Sequence, residues 1–250
     1  MTQMQSSIRT LGVLGGMSWE STAVYYRLLN QGFAQRRGGL HSAPLVLHSV
    51  DFAAMAALMA AGDWPQAGAV LGRAGAGLRA AGAQVLVLAT NTLHKVADAI
   101  EAGSGLPLLH IADATAAALQ AAGVQQALLL GTRYTMEDDD IVRSRLQQRG
   151  GLHIQVPDVA GRALLQRVVF DELVRGIVNP DSRALIGALI ARHAAQGAQA
   201  VILGCTELML MLDNSNSPLP TFDTAALHCA SALQWMVGEP PTPSQTETPA

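Results

Sequence analysis

Two short apolar segments of this 250-residue chain end in side chains that can carry a proton. Residues 82–92 and 197–207 align without a gap at an offset of 205 − 90 = 115, which matches Thr90 with Cys205. Each segment is rich in Val, Leu and Ile, which is typical of a buried parallel strand with polar residues at its carboxyl end. In open α/β sheets, ligands bind at that edge.

A thiol and a hydroxyl that act on opposite faces of one carbon can invert a stereocentre, since one removes a proton and the other returns one. Cys205 can act as a base where a helix N-terminus or nearby donors favour its thiolate, and Glu207 opens the segment that follows it. Thr90 is a very poor base unless a neighbour or a water carries its proton. The pattern therefore predicts two chemically unequal faces.

Taken alone, each residue has a simpler interpretation. A single cysteine in an apolar strand most often serves packing, and a threonine at a strand end most often caps a helix. Only the paired placement of Thr90 and Cys205 favours catalysis.

The same offset relates a second pair of predicted strands, since Leu11 aligns with Gln126 and Gly16 with Gly131. This repeat predicts two similar α/β halves that face each other across a cleft, with Thr90 and Cys205 on opposite walls. We expect a first α/β domain of residues 8–105 plus 218–238, a second of residues 106–217, and a disordered Pro/Thr/Ser-rich tail at 239–250.

The remaining elements follow from apolar runs and breakers. A helix carrying Tyr25 is expected after the first strand, with Ser18 or Ser21 as its N-cap. Further helices are expected at 63–81, 164–174, 182–196 and 224–237. The expected strands begin at Leu11, Pro44, Gly82, Leu106, Gln126, Leu152, Gly197 and Leu219.

Composition excludes several classes of protein. The formal charge of −3 and the lack of a basic stripe give no reason to expect nucleic-acid binding. No apolar run has membrane-spanning length and no leader is evident, so we expect a cytoplasmic protein without membrane association. The two cysteines, Cys205 and Cys229, have no paired spacing and form no disulfide framework.

Other candidate sites are weaker. Glycines 12, 15 and 16 do not match the dinucleotide-binding fingerprint, although their turn could offer N–H groups to a carboxylate. The seven histidines show no metal-ligand spacing, so no metal is expected. His94 is expected on a helix surface, with a supporting contact to Thr90 as the alternative. His48 either lines the site or is structural.

Four motifs together resemble the cofactor-independent aspartate/glutamate racemase family, in particular its branch acting on the L-isomers. They are residues 14–22 with Tyr25 and Tyr26, residues 90–95, residues 130–136 and residues 204–207. The resemblance implies two similar domains related by a pseudo-twofold axis, with parallel sheets flanked by helices and the active site in the cleft between the domains. It also implies a small amino-acid substrate, no cofactor and a homodimer.

The resemblance also implies residue roles. Thr90 and Cys205 match the two catalytic positions, and a threonine in the first is a feature of the L-specific branch. Relatives place an Arg and a Lys near the substrate's side-chain carboxylate, whereas residues 49–52 contain no Arg and residues 170–175 contain only Arg175 as a basic residue. The residues expected to hold the substrate's α-carboxylate and ammonium are Met17, Ser18, Asn91, Thr92, Thr135 and Thr206.

The sequence therefore predicts an isomerase that interconverts L- and D-aspartate or glutamate by a two-base 1,1-proton transfer, with Cys205 as the base for the L-isomer. One alternative is a related isomerase or decarboxylase acting on maleate, hydantoins or arylmalonates. Another is a non-catalytic amino-acid-binding protein, which the weak basicity of Thr90 would suit.

Overall fold

The computed structural model describes residues 8–137 and 142–238 of the chain. These residues form two compact units, one of residues 8–111 with 228–238 and one of residues 112–137 with 142–227. Each unit contains a four-stranded parallel sheet flanked by helices, which confirms the predicted α/β class. The domain bounds expected from the sequence stay a prediction, and the expected tail at 239–250 lies outside the described residues.

The sheet of the first unit has the strand order β2-β1-β3-β4, with every pair parallel. The central strands β1 and β3 are buried along their whole length because helices cover both faces of the sheet. The elements are β1 Leu11–Gly15, α1 Trp19–Arg37, β2 Leu45–Ser49, α2 Phe52–Ala61, α3 Trp64–Ala80, β3 Val85–Leu88, α4 Ala97–Ser104 and β4 Leu108–Leu109.

The second unit repeats this arrangement with the strand order β6-β5-β7-β8. Helices α8 and α9 pack an apolar cluster against β5 and β7. The elements are α5 Ile111–Ala121, β5 Gln126–Leu130, α6 Arg133–Glu137, α7 Arg143–Gly150, β6 His153–Gln155, α8 Val159–Arg167, a π-helical turn at Val168–Glu172, α9 Pro180–Ala195, β7 Ala200–Leu203 and β8 Thr221–Asp223. Helix α10, Thr224–Val237, begins in the second unit and from His228 onward belongs to the first.

The 115-residue repeat holds at the level of backbone geometry. Helices α3 and α9 end at equivalent residues, and Gly82 and Gly197 follow them with φ angles of 100° and 97°, a region that favours glycine. The side chain of Gln84 accepts from Thr10 N at 3.0 Å, and that of Gln199 accepts from Gln125 N at 2.7 Å. Strands β5 and β7 lie 115 residues after β1 and β3, so the predictions of these four strands and of their offset are confirmed.

Two first-half predictions differ from the structure. Only Leu108–Leu109 of the expected strand at 106–111 forms a strand, and Ile111 already begins α5. Helix α2 was not expected, because its sequence is apolar all round and lacks the periodic polar face that identifies a surface helix. Its N-cap is Asp51, whose carboxylate accepts from Ala53 N at 3.2 Å.

Helices α3 and α4 approach so closely that glycine is required at their contact. A Cβ atom added at Gly103 would lie 2.8 Å from the Cα atom of Gly72, and the backbone cannot move aside cheaply. Gly77 lies on the same helix as Gly72, but a Cβ atom there meets nothing within 4 Å.

We therefore expect Gly103→Ala to lower the free energy of unfolding by about 1–3 kcal/mol, since overpacking forces the helices apart. Gly77→Ala should raise it by about 0.5–1 kcal/mol, because alanine has the higher helix propensity and nothing opposes it. Urea denaturation of both variants tests this pair. An equal effect of the two substitutions would contradict the close contact of α3 and α4.

Candidate active site

The polar residues singled out in the sequence follow the two central strands of each sheet. In the first unit, β1 connects outward to β2 on one side, while β3 pairs with its other side. The carboxyl ends of β1 and β3 therefore form the point where the strand order reverses, which is the usual ligand crevice of an open α/β sheet. The carboxyl ends of β5 and β7 form the equivalent point in the second unit.

A glycine turn joins β1 to α1. Gly16 has a φ of 95°, and a side chain there would collide with the backbone of Val50. Its N–H donates to Thr22 Oγ1 at 2.8 Å, and that hydroxyl donates to Ser18 O at 2.8 Å. Thr22 thus engages the Gly16 N–H, and the expectation that this turn offers N–H groups to a carboxylate stays a prediction.

Ser18 is the N-cap of α1, as the sequence predicted. Its Oγ accepts from Ser21 N at 3.3 Å, and its side chain is half-buried. Met17 precedes it and is buried. These two residues therefore lie at the carboxyl end of β1, in the predicted order.

Thr90 lies two residues beyond Leu88, the last residue of β3, and is half-buried. Hydrogen bonds hold its backbone on both sides: its N–H donates to Leu88 O at 2.8 Å, and its carbonyl accepts from His94 Nδ1 at 2.8 Å. Asn91 and Thr92 follow and are buried, and Thr92 begins a 3₁₀ turn that ends at Val96.

His94 is buried with 3 % of its surface exposed, so the prediction of a helix-surface histidine is wrong. Its Nδ1 faces the Thr90 carbonyl, and its Nε2 accepts from Ile111 N at 3.3 Å. A carbonyl on one side and an N–H on the other fit only the neutral ring with its proton on Nδ1. Burial, followed by the neighbouring His110 and His228, lowers the pKa of His94 well below its ordinary value.

His94 belongs to a buried cluster of rings in the first unit. The centroid of its ring lies 4.5 Å from that of His110 and 5.7 Å from that of His228. His228 Nε2 donates to Leu109 O at 2.8 Å, which leaves Nδ1 to accept from the Tyr25 hydroxyl at 2.8 Å. Residues from four distant parts of the sequence meet here, which no spacing pattern predicts.

Cys205 lies two residues beyond Leu203, the last residue of β7, and has 7 % of its surface exposed. Its Sγ donates to Glu207 Oε2 at 2.9 Å, and the same oxygen accepts from Thr206 Oγ1 at 2.9 Å. Glu207 was expected only to open the next segment, yet its carboxylate is the direct partner of the thiol.

The electrostatics of Cys205 oppose the expected thiolate. The residue does precede a helical turn, the 3₁₀ turn Thr206–Leu210, and the backbone N–H groups of Glu207 and Leu208 favour the charged form. Burial disfavours the thiolate more strongly than these N–H groups favour it, and the charge and hydrogen bond of the Glu207 carboxylate act in the same direction as burial. The pKa of the Cys205 thiol is therefore raised well above its ordinary value.

The remaining predicted binding residues, Thr135 and Thr206, follow the central strands β5 and β7 of the second unit. Thr135 is in α6, fully buried, with its Oγ1 3.3 Å from Thr132 Oγ1 and its side chain against Gly131 and Gly204. Thr206 is half-buried beside Glu207. His48 lies within the edge strand β2 and is exposed. The assignment of Met17, Ser18, Asn91, Thr92, Thr135 and Thr206 to substrate binding stays a prediction.

Within residues 8–137 and 142–238, no group of three or more His, Cys, Asp or Glu side chains is arranged to hold a metal ion. In the same part of the chain, no helix combines the length and apolar character needed to cross a membrane.

Two α/β units, each with a four-stranded parallel sheet, form the fold of an amino acid racemase class. The family model described as Asp/Glu/Hydantoin racemase matches residues 14–232. The chain belongs to this family and is an amino acid racemase, an isomerase.

Solved structures agree with this assignment. A candidate Asp/Glu racemase from Yersinia pestis is 46 % identical, with 92 % of this chain and 100 % of that chain covered and a TM-score of 0.87. An aspartate racemase homologue from Pyrococcus horikoshii OT3 is 29 % identical, covering 93 % and 100 % with a TM-score of 0.81. The aspartate racemase of Picrophilus torridus, at 20 % identity, 93 % and 95 % coverage and a TM-score of 0.71, shares the fold.

The contact between Cys205 and Glu207 leads to a titration prediction. Replacing Glu207 by Gln removes a negative charge beside the thiol, so the pKa of Cys205 should fall while burial keeps it above the ordinary value. Thiolate absorbance near 240 nm against pH measures this, with a Cys205→Ser variant as the blank for Cys229. An unchanged or higher pKa in Glu207→Gln would contradict the contact.

Burial of neutral His94 leads to a prediction about stability. Because the pKa of His94 is lower in the folded state, the unfolded chain binds the extra proton below pH 6.5, and stability is lost as the pH falls. We expect His94 to contribute a loss of about 1 kcal/mol in unfolding free energy between pH 6.5 and 5.5.

Urea denaturation at the two pH values tests this expectation. The His94→Asn variant should lack that loss, whereas His153→Gln, on the exposed end of edge strand β6, should retain it. Equal pH slopes for wild type and His94→Asn would show that His94 is not buried in its neutral form.

Proposed function

We propose that this racemase interconverts the L- and D-forms of aspartate or glutamate without a cofactor, by a two-base 1,1-proton transfer. In this proposal Cys205 removes the α-proton of the L-isomer, and Thr90, or a water that it positions, serves the other face. The observation that carries the proposal is the equivalence of the two residues, each two residues beyond a central strand related by the 115-residue repeat.

The substrate class is supported by the relatives. The family name includes Asp and Glu, and the two similar structures at 46 % and 29 % identity carry names that refer to Asp/Glu and to aspartate racemase. Both substrates are dicarboxylic α-amino acids. The proposal extends that substrate class to this chain.

Glu207 gives Cys205 a route to its reactive form. A bare thiolate beside a carboxylate places two anions in a buried site, which the raised pKa of Cys205 reflects. Transfer of the thiol proton to Glu207 Oε2, 2.9 Å away, keeps the net charge of the pair at −1. We infer that the positive α-ammonium of the substrate favours this transfer, and that the resulting thiolate removes the α-proton.

The Thr90 side has no comparable acceptor among the contacts described above, and an alcohol is a much weaker acid than a thiol, so its basic form is far scarcer. The proposal therefore includes a preference for the L-isomer, whose α-proton the Cys205 side removes. The carbanion formed in either direction needs N–H donors to its carboxylate and exclusion of water. We assign the α-carboxylate and ammonium to Met17, Ser18, Asn91, Thr92, Thr135 and Thr206.

The proposal requires both groups to act on one α-carbon, and deuterium incorporation tests this. Wild type incubated with L-aspartate or L-glutamate in D₂O should incorporate deuterium at Cα and form the D-isomer. Cys205→Ala should reduce both by about 100-fold or more, because general acid–base groups contribute that much.

Thr90→Ala should reduce formation of the D-isomer to a similar extent. A Cys229→Ala variant is the matched control, since Cys229 is a buried cysteine in α10 outside the proposed site, and it should keep its activity. If wild type incorporates no more deuterium than Cys205→Ala, the catalytic assignment is wrong. Loss of CO₂ from the substrate would instead indicate a decarboxylase.

A further inference from the structure

His94 makes two directional hydrogen bonds that link two different segments. Its Nδ1 donates to the carbonyl of Thr90 at the end of β3, and its Nε2 accepts from the N–H of Ile111, the first residue of α5. The first N–H groups of a helix have no partner within the helix, so Nε2 also serves as a cap for α5. One ring thus fixes the Thr90 backbone to the start of a helix.

Two described hydrogen bonds hold the backbone of Thr90 itself. Thr90 is past the last paired residue of β3, and its N–H turns back to Leu88 O at 2.8 Å. With both its N–H and its carbonyl held, the Cα–Cβ bond of Thr90 has a fixed direction. Without the ring of His94, only the N–H side of this residue keeps a described hydrogen bond.

The buried cluster keeps His94 in the required protonation state. The rings of His110 and His228 both neighbour that of His94, and a proton on either of them disfavours a proton on His94. His228 is fixed as the Nε2–H tautomer by Leu109 O and the Tyr25 hydroxyl. A second proton on His94 would place an Nε2–H against the N–H of Ile111 and break the link to α5.

We propose that His94 is a positioning residue of the racemase reaction, whose neutral Nδ1–H ring aims the Thr90 side chain by holding the Thr90 carbonyl against the start of α5. This inference rests on the proposed role of Thr90 and adds a residue that contacts no substrate. Its loss should slow the step at Thr90, because a displacement of about 1 Å at a reacting group can cost about 100-fold in rate.

Two substitutions separate the two hydrogen bonds of His94. In His94→Asn the amide nitrogen takes the place of Nδ1 and can still donate to Thr90 O, while the bond from Ile111 is lost. In His94→Gln the amide oxygen takes the place of Nε2 and can still accept from Ile111, while the bond to Thr90 is lost. Each variant loses one hydrogen bond, so a purely structural role predicts similar effects.

We expect His94→Gln to lower kcat for conversion of L- to D-aspartate or glutamate by about 10- to 100-fold with KM within about twofold of wild type. His94→Asn should keep kcat within about threefold. The His153→Gln variant controls for replacing a histidine elsewhere. If Gln retains as much activity as Asn, or if both lose activity in proportion to their loss of Tm, the positioning role is excluded.

A measurement without substrate tests the ring itself. The ¹⁵N–¹H spectrum of histidine-labelled wild type at pH 7.5 should show a ring protonated on Nδ1 and unprotonated on Nε2, and His94→Asn should lack that signal. If the signal that disappears in His94→Asn comes instead from a charged ring or from an Nε2–H tautomer, the proposal is overturned. Should wild type fail to racemise while this signal is present, the proposed function is wrong, but the hydrogen bond from His94 to the Thr90 carbonyl still stands.

Discussion

Burial of the central strands on both faces is the constraint on which the rest of this structure depends. Helices cover β1, β3, β5 and β7, so polar side chains are tolerated only where these strands end. Ser18, Thr90 and Cys205 lie just beyond three of those ends. Glycines at the same ends allow backbone segments to approach within contact distance, as Gly16 does against Val50. One requirement, the exclusion of polar groups from the buried strands, therefore sets where polar side chains lie along each strand.

That constraint explains which features the sequence could predict. A parallel strand buried on both faces is a continuous apolar run, and a duplicated run with a fixed offset is visible without coordinates. Thr90 and Cys205 are singled out because they follow such runs, and their catalytic roles stay a prediction. The N-cap at Ser18 was found because capping is local and depends on residue type at one position. The fold class and the family followed from the same motifs.

The supporting contacts could not be predicted, and each failure has a physical reason. His94 was assigned to a helix surface because its neighbours in the sequence do not reveal that Ile111 and His228 bury it. The contact between Tyr25 and His228 joins residues 203 positions apart, beyond any periodic pattern. The thiolate expected at Cys205 followed from the helical turn alone, whereas burial and the charge of Glu207 outweigh that turn. Sequence patterns locate strand ends, but the environment of each side chain depends on long-range packing.

The two units support the residues proposed as catalytic by different means, and this difference bears on how two similar halves can act unequally. In the second unit, a carboxylate contacts the reactive group itself, and Glu207 accepts from the Cys205 thiol. In the first unit, the described partner acts on the backbone, since His94 holds the Thr90 carbonyl. A thiol can be switched to its charged form by moving one proton to a neighbour, whereas the hydroxyl of threonine gains little from such a neighbour because its own acidity is too weak. For a hydroxyl, the remaining means is to control the direction in which its side chain points. The two strand ends are equivalent in backbone position, and the residues two positions beyond them differ in the kind of support that each chemistry can use.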